Sequence, residues 1–157
     1  MGGRVHGIAL RKKSRAPMEL IPSGFISESE GLRGDFRGTA GNRQVTVLFK
    51  SAWDIACSDL GEDLPWSVRR ANVLIGGIEF QLNDRSKVPS GQLRIKIGDV
   101  ILQVTGETDP CARMDEQHAG LTKALTPDWR GGVCCRVLVG GRIEIGMPAS
   151  LFLVDKE

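Results

Sequence analysis

The chain has 157 residues, 41% hydrophobic and 25% charged, with 21 Lys and Arg against 19 Asp and Glu. That balance excludes a disordered or collagen-like chain, and the length suits one domain with a single buried core. A formal charge of +2 leaves no basic stripe for duplex binding, so no nucleic-acid partner is expected. No apolar run approaches the ~18 residues of a membrane span. Glycine, at 20 residues, is well above its background of about 7%, which predicts many turns and many short strands.

In chain order, Val5 to Leu20 alternates weakly and is broken by Arg11-Lys12-Lys13 and Pro17. It predicts two edge-type strands around a solvated basic turn. Gly24 to Asn42, with glycines at 24, 31, 34, 38 and 41, predicts loop. Gln44-Val-Thr-Val-Leu-Phe49 alternates and is rich in β-branched residues, a strand pattern. Ser51 to Leu60 predicts a helix capped by Ser51, with Asp54 in the first turn and Gly61 past the end. Its Ile55, Ala56 and Leu60 are expected to face a core. Asn72-Val-Leu-Ile75 reads as a strand, Gly76-Gly77 as a turn, and Ile78-Glu-Phe80 as its resumption.

Leu93–Ile97 and Val100–Val104 flank Gly98-Asp99, a hairpin signature. After Gly106 a polar loop runs through Asp109-Pro-Cys-Ala-Arg-Met114 into a short helical stretch ending near Leu125. Val133–Val139, Arg142–Ile145 and Ala149–Val154 predict three more strands, separated by Gly140-Gly141 and Gly146. The fold class expected is mainly β: a barrel or barrel-like sandwich of short strands with a few short helices.

The cysteines are Cys57, Cys111, Cys134 and Cys135. No signal-like run opens the chain, so a cytoplasmic setting with reduced thiols is expected. With no CxxC pair and only His6 and His118, a structural zinc site is not expected. Cys111 follows Pro110 in a polar loop near Arg113, which favours the thiolate, the nucleophilic and metal-binding form. It is either a ligand for a soft or high-valent metal or a buried inert thiol. Cys57 reads as a small core hydrophobe. Cys134 and Cys135 are neighbours on a strand, so one is expected to enter the core and the other to face out.

Arg33, Arg43, Arg69, Arg70 and Arg130 lie in loops close to glycines. Each alone reads as an exposed turn residue. Together they point to an anionic ligand gripped by guanidinium groups and backbone N–H groups. His118 raises a Cys–His nucleophile pair with Cys111, although a helix-end histidine is the commoner reading. Asp115 and Glu116 complement a helix start. Asp35 can cap or orient a nearby donor.

Several segments, taken in order, resemble the MOSC domain, named for the C-terminal domain of molybdenum-cofactor sulfurases. They begin with Gly31-Leu-Arg-Gly-Asp35, Arg43-Gln-Val-Thr-Val-Leu and Arg69-Arg-Ala-Asn72-Val-Leu-Ile-Gly-Gly-Ile. They continue with Leu93-Arg-Ile-Lys-Ile-Gly-Asp-Val, Pro110-Cys-Ala-Arg-Met, Gly120-Leu-Thr-Lys-Ala-Leu, Arg130-Gly-Gly-Val and Gly141-Arg-Ile-Glu-Ile-Gly. The resemblance implies one domain over 1–157 that binds a molybdenum–pterin cofactor, with Cys111 as metal ligand and catalytic residue.

It also implies that Arg43, Arg70 and Asn72 meet the anionic end or polar edge of the pterin, and Arg113 and Arg130 complete the expected cofactor-binding set. The implied activities are reduction of N-hydroxylated compounds with an electron-donor protein, or sulfur transfer through Cys111 from a sulfur-donor protein. A non-catalytic anion-binding or regulatory barrel is the alternative. Pyridoxal phosphate belongs to a separate domain of the sulfurases and is not expected here. One departure stands out: Asp35-Phe-Arg-Gly38 occupies the place where many relatives have a histidine.

Overall fold

Period-two burial accounts for the main layer. β1 (Gly3–Leu10), β5 (Val45–Phe49), β6 (Val73–Gly76), β7 (Leu93–Ile97), β8 (Val100–Glu107), β9 (Val133–Val139) and β11 (Pro148–Leu153) form one sheet. Its order is β11-β7-β8-β9-β5-β6-β1, and β11 pairs with β1 to close a seven-stranded barrel. β2 (Glu19–Leu20) extends β1, and β3 (Ser23–Ser27), β4 (Gly31–Leu32) and β10 (Gly141–Glu144) make a small separate sheet. The computed structural model describes residues 2–155. Met1, Lys156 and Glu157, counted in the domain expected over 1–157, lie outside the described residues.

An odd ring cannot be antiparallel all the way round, so a parallel neighbour pair must exist. That pair is β5–β6, and the other ring pairings are antiparallel. Parallel neighbours need a long crossover. Here it carries α1 (Lys50–Leu60) and a 3₁₀ turn over Trp66–Arg69, and the short α2 (Leu82–Ser86) follows β6. Inward residues such as Val47, Val73, Ile95, Leu102 and Cys135 fill the barrel, as alternation requires. The outward Leu48 and Leu74 are covered by a second layer from α1, α3 (Arg113–Gln117) and α4 (Leu121–Leu125), with Trp53, Met114 and Leu121 buried between.

β1 is no edge strand: it pairs with β6 and β11 in the ring and with β2. A register shift between Val5 and Gly7 inserts an extra residue, so Val5 and Ile8 both enter the core despite their odd spacing. Such a bulge breaks the alternation that would have marked a buried strand. The segment expected as loop, Gly24 to Asn42, contains β4 and most of β3, whose Ile26 and Leu32 are buried. β4 has only two residues, and β3 buries one residue, Ile26, in a Ser- and Gly-rich run, so neither shows a period. Ile78–Phe80 does not resume a strand; Phe80 instead stacks on Phe49 with ring centroids 5.1 Å apart.

The hairpin across Gly98-Asp99 and strand Val133–Val139 form as expected, and the helical stretch before Leu125 divides into α3 and α4. Helix α1 starts one residue early, with Phe49 at the cap and no side-chain cap bond. The Ser51 hydroxyl donates instead to the Ile78 carbonyl at 3.3 Å. Trp53, Ala56 and Cys57 form its buried face, while Ile55 is 50% exposed. Gly61 ends the helix at φ 69°, and its N–H reaches the Cys57 and Ser58 carbonyls. A Cβ there would meet nothing within 4 Å, so Gly61→Ala is expected to cost only the backbone penalty of about 1 kcal/mol. Urea unfolding checks this.

Candidate functional site

Thr46 lies between the core residues Val45 and Val47, so it points to the barrel's outer face. Its hydroxyl accepts the Asn72 backbone N–H at 3.1 Å. The Asn72 side-chain oxygen accepts the Thr46 N–H at 3.0 Å and hydroxyl at 3.3 Å. The Asn72 amide nitrogen donates to the Ala9 carbonyl at 3.2 Å. One buried side chain thus ties β1 to β5 and sets where the turn before β6 leaves the sheet. Its oxygen and one amide hydrogen serve the fold, which limits what Asn72 can offer a ligand.

That turn carries Arg69 and Arg70, which part company. Arg70 adopts the left-handed conformation, φ 67°, and its guanidinium donates to the Ala16 carbonyl. It lines a cleft of about 70 Å³ together with Arg11, Asp35, Arg37, Arg43, Thr46, Asn72 and Thr108. Asp35 accepts the backbone N–H groups of Arg11 at 3.0 Å and Arg37 at 3.1 Å. Phe36 N–H reaches the Arg11 carbonyl at 2.7 Å. The loop after β4 is thereby fastened to the end of β1, and Asp35 orients donors as its position suggested.

Four arginines and one carboxylate line this cleft. Burial lowers the Arg11 pKa first; Arg70, Arg37 and Arg113 lower it further, against Asp35. Burial and then Arg113 lower that of Arg70. Converging like charges of this kind are relieved by an anion. The space suits a phosphate-sized group held by charge-assisted bonds. Arg113, in the first turn of α3, does not line the cleft but lies near enough to act on Arg11 and Arg70.

Arg69 turns inward and is 6% exposed. Its Nε donates to the Gly131 carbonyl at 2.9 Å, Nη2 to the Thr108 carbonyl at 2.8 Å, and Nη1 reaches Met114 Sδ at 3.6 Å. Its pKa falls to about 10, chiefly through burial, which the neighbouring Cys111 and Cys134 sulfurs partly oppose. This buried guanidinium therefore braces the loop that carries Cys111. At the end of β8, where that loop begins, burial and then Asp109 raise the Glu107 pKa.

Cys111 is exposed. Its carbonyl accepts the Thr122 hydroxyl at 2.7 Å and the Met114 N–H at 2.9 Å, so the backbone is held while the thiol faces solvent. His118 closes α3 through its backbone N–H on the Met114 carbonyl and makes no side-chain hydrogen bond among the described residues. Nor do the described residues contain three His, Cys, Asp or Glu side chains grouped to hold a metal.

Both strand thiols are buried, which corrects the expectation of one facing out. Cys135 lies in the barrel core, and burial pushes its pKa up. Cys134 does point to the outer face, but Thr108 covers it with a hydroxyl 3.3 Å from Sγ, leaving it 3% exposed. Cys57 is buried as expected. Arg130 is drawn away from the cleft: it lies 2.7 Å from Asp59 Oδ2 and donates to the Ala124 carbonyl at 3.0 Å, linking α1 to α4. Arg11 and Arg37, which line the cleft, escaped the sequence reading. Arg11 lies in a run that reads as a solvated turn, whereas Arg37, next to Gly38, carries the same arginine–glycine signal as the others and could have been found by it.

No helix among the described residues is long and apolar enough to cross a membrane. No curated protein sequence matches the chain. Among solved structures, the YuaD protein from Bacillus subtilis is similar at TM-score 0.81 and 16% identity, over 99% of this chain and 98% of that one. YiiM from Escherichia coli is similar at TM-score 0.67 and 15% identity, over 97% and 71% of the two chains. YiiM from Geobacillus stearothermophilus gives 0.65 and 18%, over 98% and 73%. At such identities these likenesses establish the barrel fold alone. The MOSC domain model matches residues 30–150, a span that holds most of the barrel, the cleft and Cys111, and the chain belongs to the MOSC domain family.

Proposed function

We propose that the protein binds a molybdenum–pterin cofactor and reduces N-hydroxylated compounds. The observation that carries this reading is the convergence of Arg11, Arg37, Arg43 and Arg70 on one cleft, with Arg113, two residues from the exposed Cys111, near enough to act on Arg11 and Arg70. The donor set fits the group: guanidinium groups for a phosphate end, and one accessible sulfur for a metal that takes soft ligands. When bound, the cofactor supplies the two-electron chemistry by which an N-hydroxylated base, two protons and two electrons give the base and water.

Arg43 and Arg70 hold the anionic end, Arg11 and Arg37 complete its neutralisation, and Asp35 keeps the last two in place. The Arg69 brace presents Cys111 as the metal ligand. Arg130 has no part in this, being engaged with Asp59. A reducing cytoplasm, where an exposed Cys111 stays a thiol, is the setting this chemistry requires.

The test is elemental and pterin analysis of protein made in a host that synthesises the cofactor. Wild type is expected to retain both molybdenum and pterin, and Cys111→Ser to lose metal. The double variant Arg43→Ala, Arg70→Ala is expected to lose both by about tenfold or more, since each charge-assisted bond contributes about 1.5–3 kcal/mol. Equal molybdenum in wild type and Cys111→Ser overturns the reading. Sulfur carriage is the second reading, favoured by the exposure of the same thiol. Mass spectrometry after incubation with a cysteine desulfurase reads it directly, as one added sulfur atom on Cys111.

A further inference from the structure

Beside the cleft lies a face whose composition the cofactor does not explain. Phe25 is 49% and Phe36 43% exposed, and both rings sit under guanidinium groups. Arg33 lies 5.3 Å from the Phe25 centroid, and Arg11 and Arg37 lie 5.7 and 5.8 Å from that of Phe36. One loop joins the two rings: Arg33, whose N–H bonds the Phe25 carbonyl at 2.8 Å, and Phe36, whose N–H bonds that of Arg11, are three residues apart. Lys12 and Lys13 extend it, both exposed. Aromatic side chains and arginine are the residues enriched at the centres of protein interfaces.

The face has a net positive charge, but it is not a run of cations. Glu19 lies 3.9 Å from Lys12, Glu30 lies 3.4 Å from Arg33, and Asp35 sits between Arg33 and Arg37. Interleaved carboxylates oppose a phosphate backbone, which needs uninterrupted positive charge. They suit a protein surface, which carries both signs. Exposed pairs of this kind contribute little to stability, so a partner can exchange them at small cost.

We infer that this face docks an acidic electron-carrier protein, with Phe25 and Phe36 at the centre and the surrounding cations against its carboxylates. The role of the electrons rests on the function proposed above; the contact itself does not. Reduction of an N-hydroxyl group breaks an N–O bond, and the oxygen leaves as water with two protons from solvent. The two electrons come from two reduced carriers, each oxidised by one electron. Arg11 and Arg37 belong both to this face and to the cleft rim, so a carrier seated here lies beside the place where the electrons are used.

The test measures binding of two acidic carriers, a ferredoxin and a flavodoxin, to the cofactor-loaded protein at about 0.03 M and about 0.3 M salt. At least one carrier is expected to bind with a Kd on the order of micromolar at low salt, as transient redox pairs do, and about tenfold more weakly at high salt. Arg33→Glu and Phe25→Ala are each expected to weaken binding about tenfold while keeping wild-type molybdenum content, since neither residue lines the cleft. Lys96→Glu, at an exposed position of β7, is expected to change nothing.

Failure of both carriers to bind at low salt overturns the inference, and so does binding that Arg33→Glu and Phe25→Ala leave intact in folded protein. Tighter binding of a single-stranded oligonucleotide, lost in the same variants, reassigns the face to nucleic acid and also overturns it. Protein that docks a carrier but holds no molybdenum keeps the face and removes the proposed function. The opposite result removes the face alone.

Discussion

Arg69→Ala is expected to lower the stability of the domain by about 2–4 kcal/mol, because buried polar groups left without partners cost about 1–3 kcal/mol each. The substitution strands the Gly131 and Thr108 carbonyls and opens a void against Met114. Removing a buried cation returns part of that loss, since burial alone already disfavours the charge. Lysine should not rescue it. A single ammonium cannot reproduce a planar fork that reaches two carbonyls from separate segments.

Urea unfolding measures the global effect. Amide hydrogen exchange over residues 109–117 should accelerate more than exchange in β7 and β8, because the brace joins the Cys111 loop to the barrel. Wild-type stability with unchanged exchange in that loop would remove Arg69 from its assigned place.

Gly132→Ala is expected to cost more than about 3 kcal/mol, the range reserved for clashes that a core cannot relax. The residue sits at φ +97°, and a Cβ there would lie 2.2 Å from the Val47 carbonyl oxygen. That oxygen belongs to β5 where Val47 pairs with Val133 of β9, so yielding means opening the barrel beside Thr46. Gly131 is tight as well, with a Cβ there 2.8 Å from the Thr108 carbonyl oxygen. Gly61→Ala is the control: Gly61 also has a positive φ, 69°, but no close neighbour. A melting temperature that falls by about 10 °C or more in Gly132→Ala and far less in Gly61→Ala separates steric clash from backbone strain. Equal losses would mean that the backbones do not approach as closely as the structure places them.

Much of the fold was legible because its signals are local. Val45 to Phe49, Leu93 to Val104 and Val133 to Val139 show alternation over enough residues to mark half-buried strands. Gly98-Asp99 marks its own turn. β1 was not legible as a barrel strand, because the bulge between Val5 and Gly7 shifts the phase of its apolar residues by one. β4 has only two residues, and β3, as long as β5, has one buried side chain among Ser and Gly, so neither displays a phase.

In the candidate site, the sequence left Cys111 between an accessible ligand and a buried thiol, and the structure exposes it; Arg43 and Arg70, two of the glycine-flanked arginines, line the cleft. Nothing local distinguishes Arg69 from Arg70, adjacent in sequence and opposite in burial and role. Arg130 looked equivalent to Arg43 until Asp59, 71 residues away, drew it to the helical layer.

The amino-acid sequence by itself determined the β class, the longer strands and hairpin, and the family, since each depends on residues within a few positions of one another or on their order. Only the tertiary structure decided that Gly3 would pair with Ala149 to close the ring, and hence that Arg11, Arg37, Arg43 and Arg70 would face one another. Charges so far apart along the chain meet only when a barrel is closed, and an electrostatic site is set by distances in space.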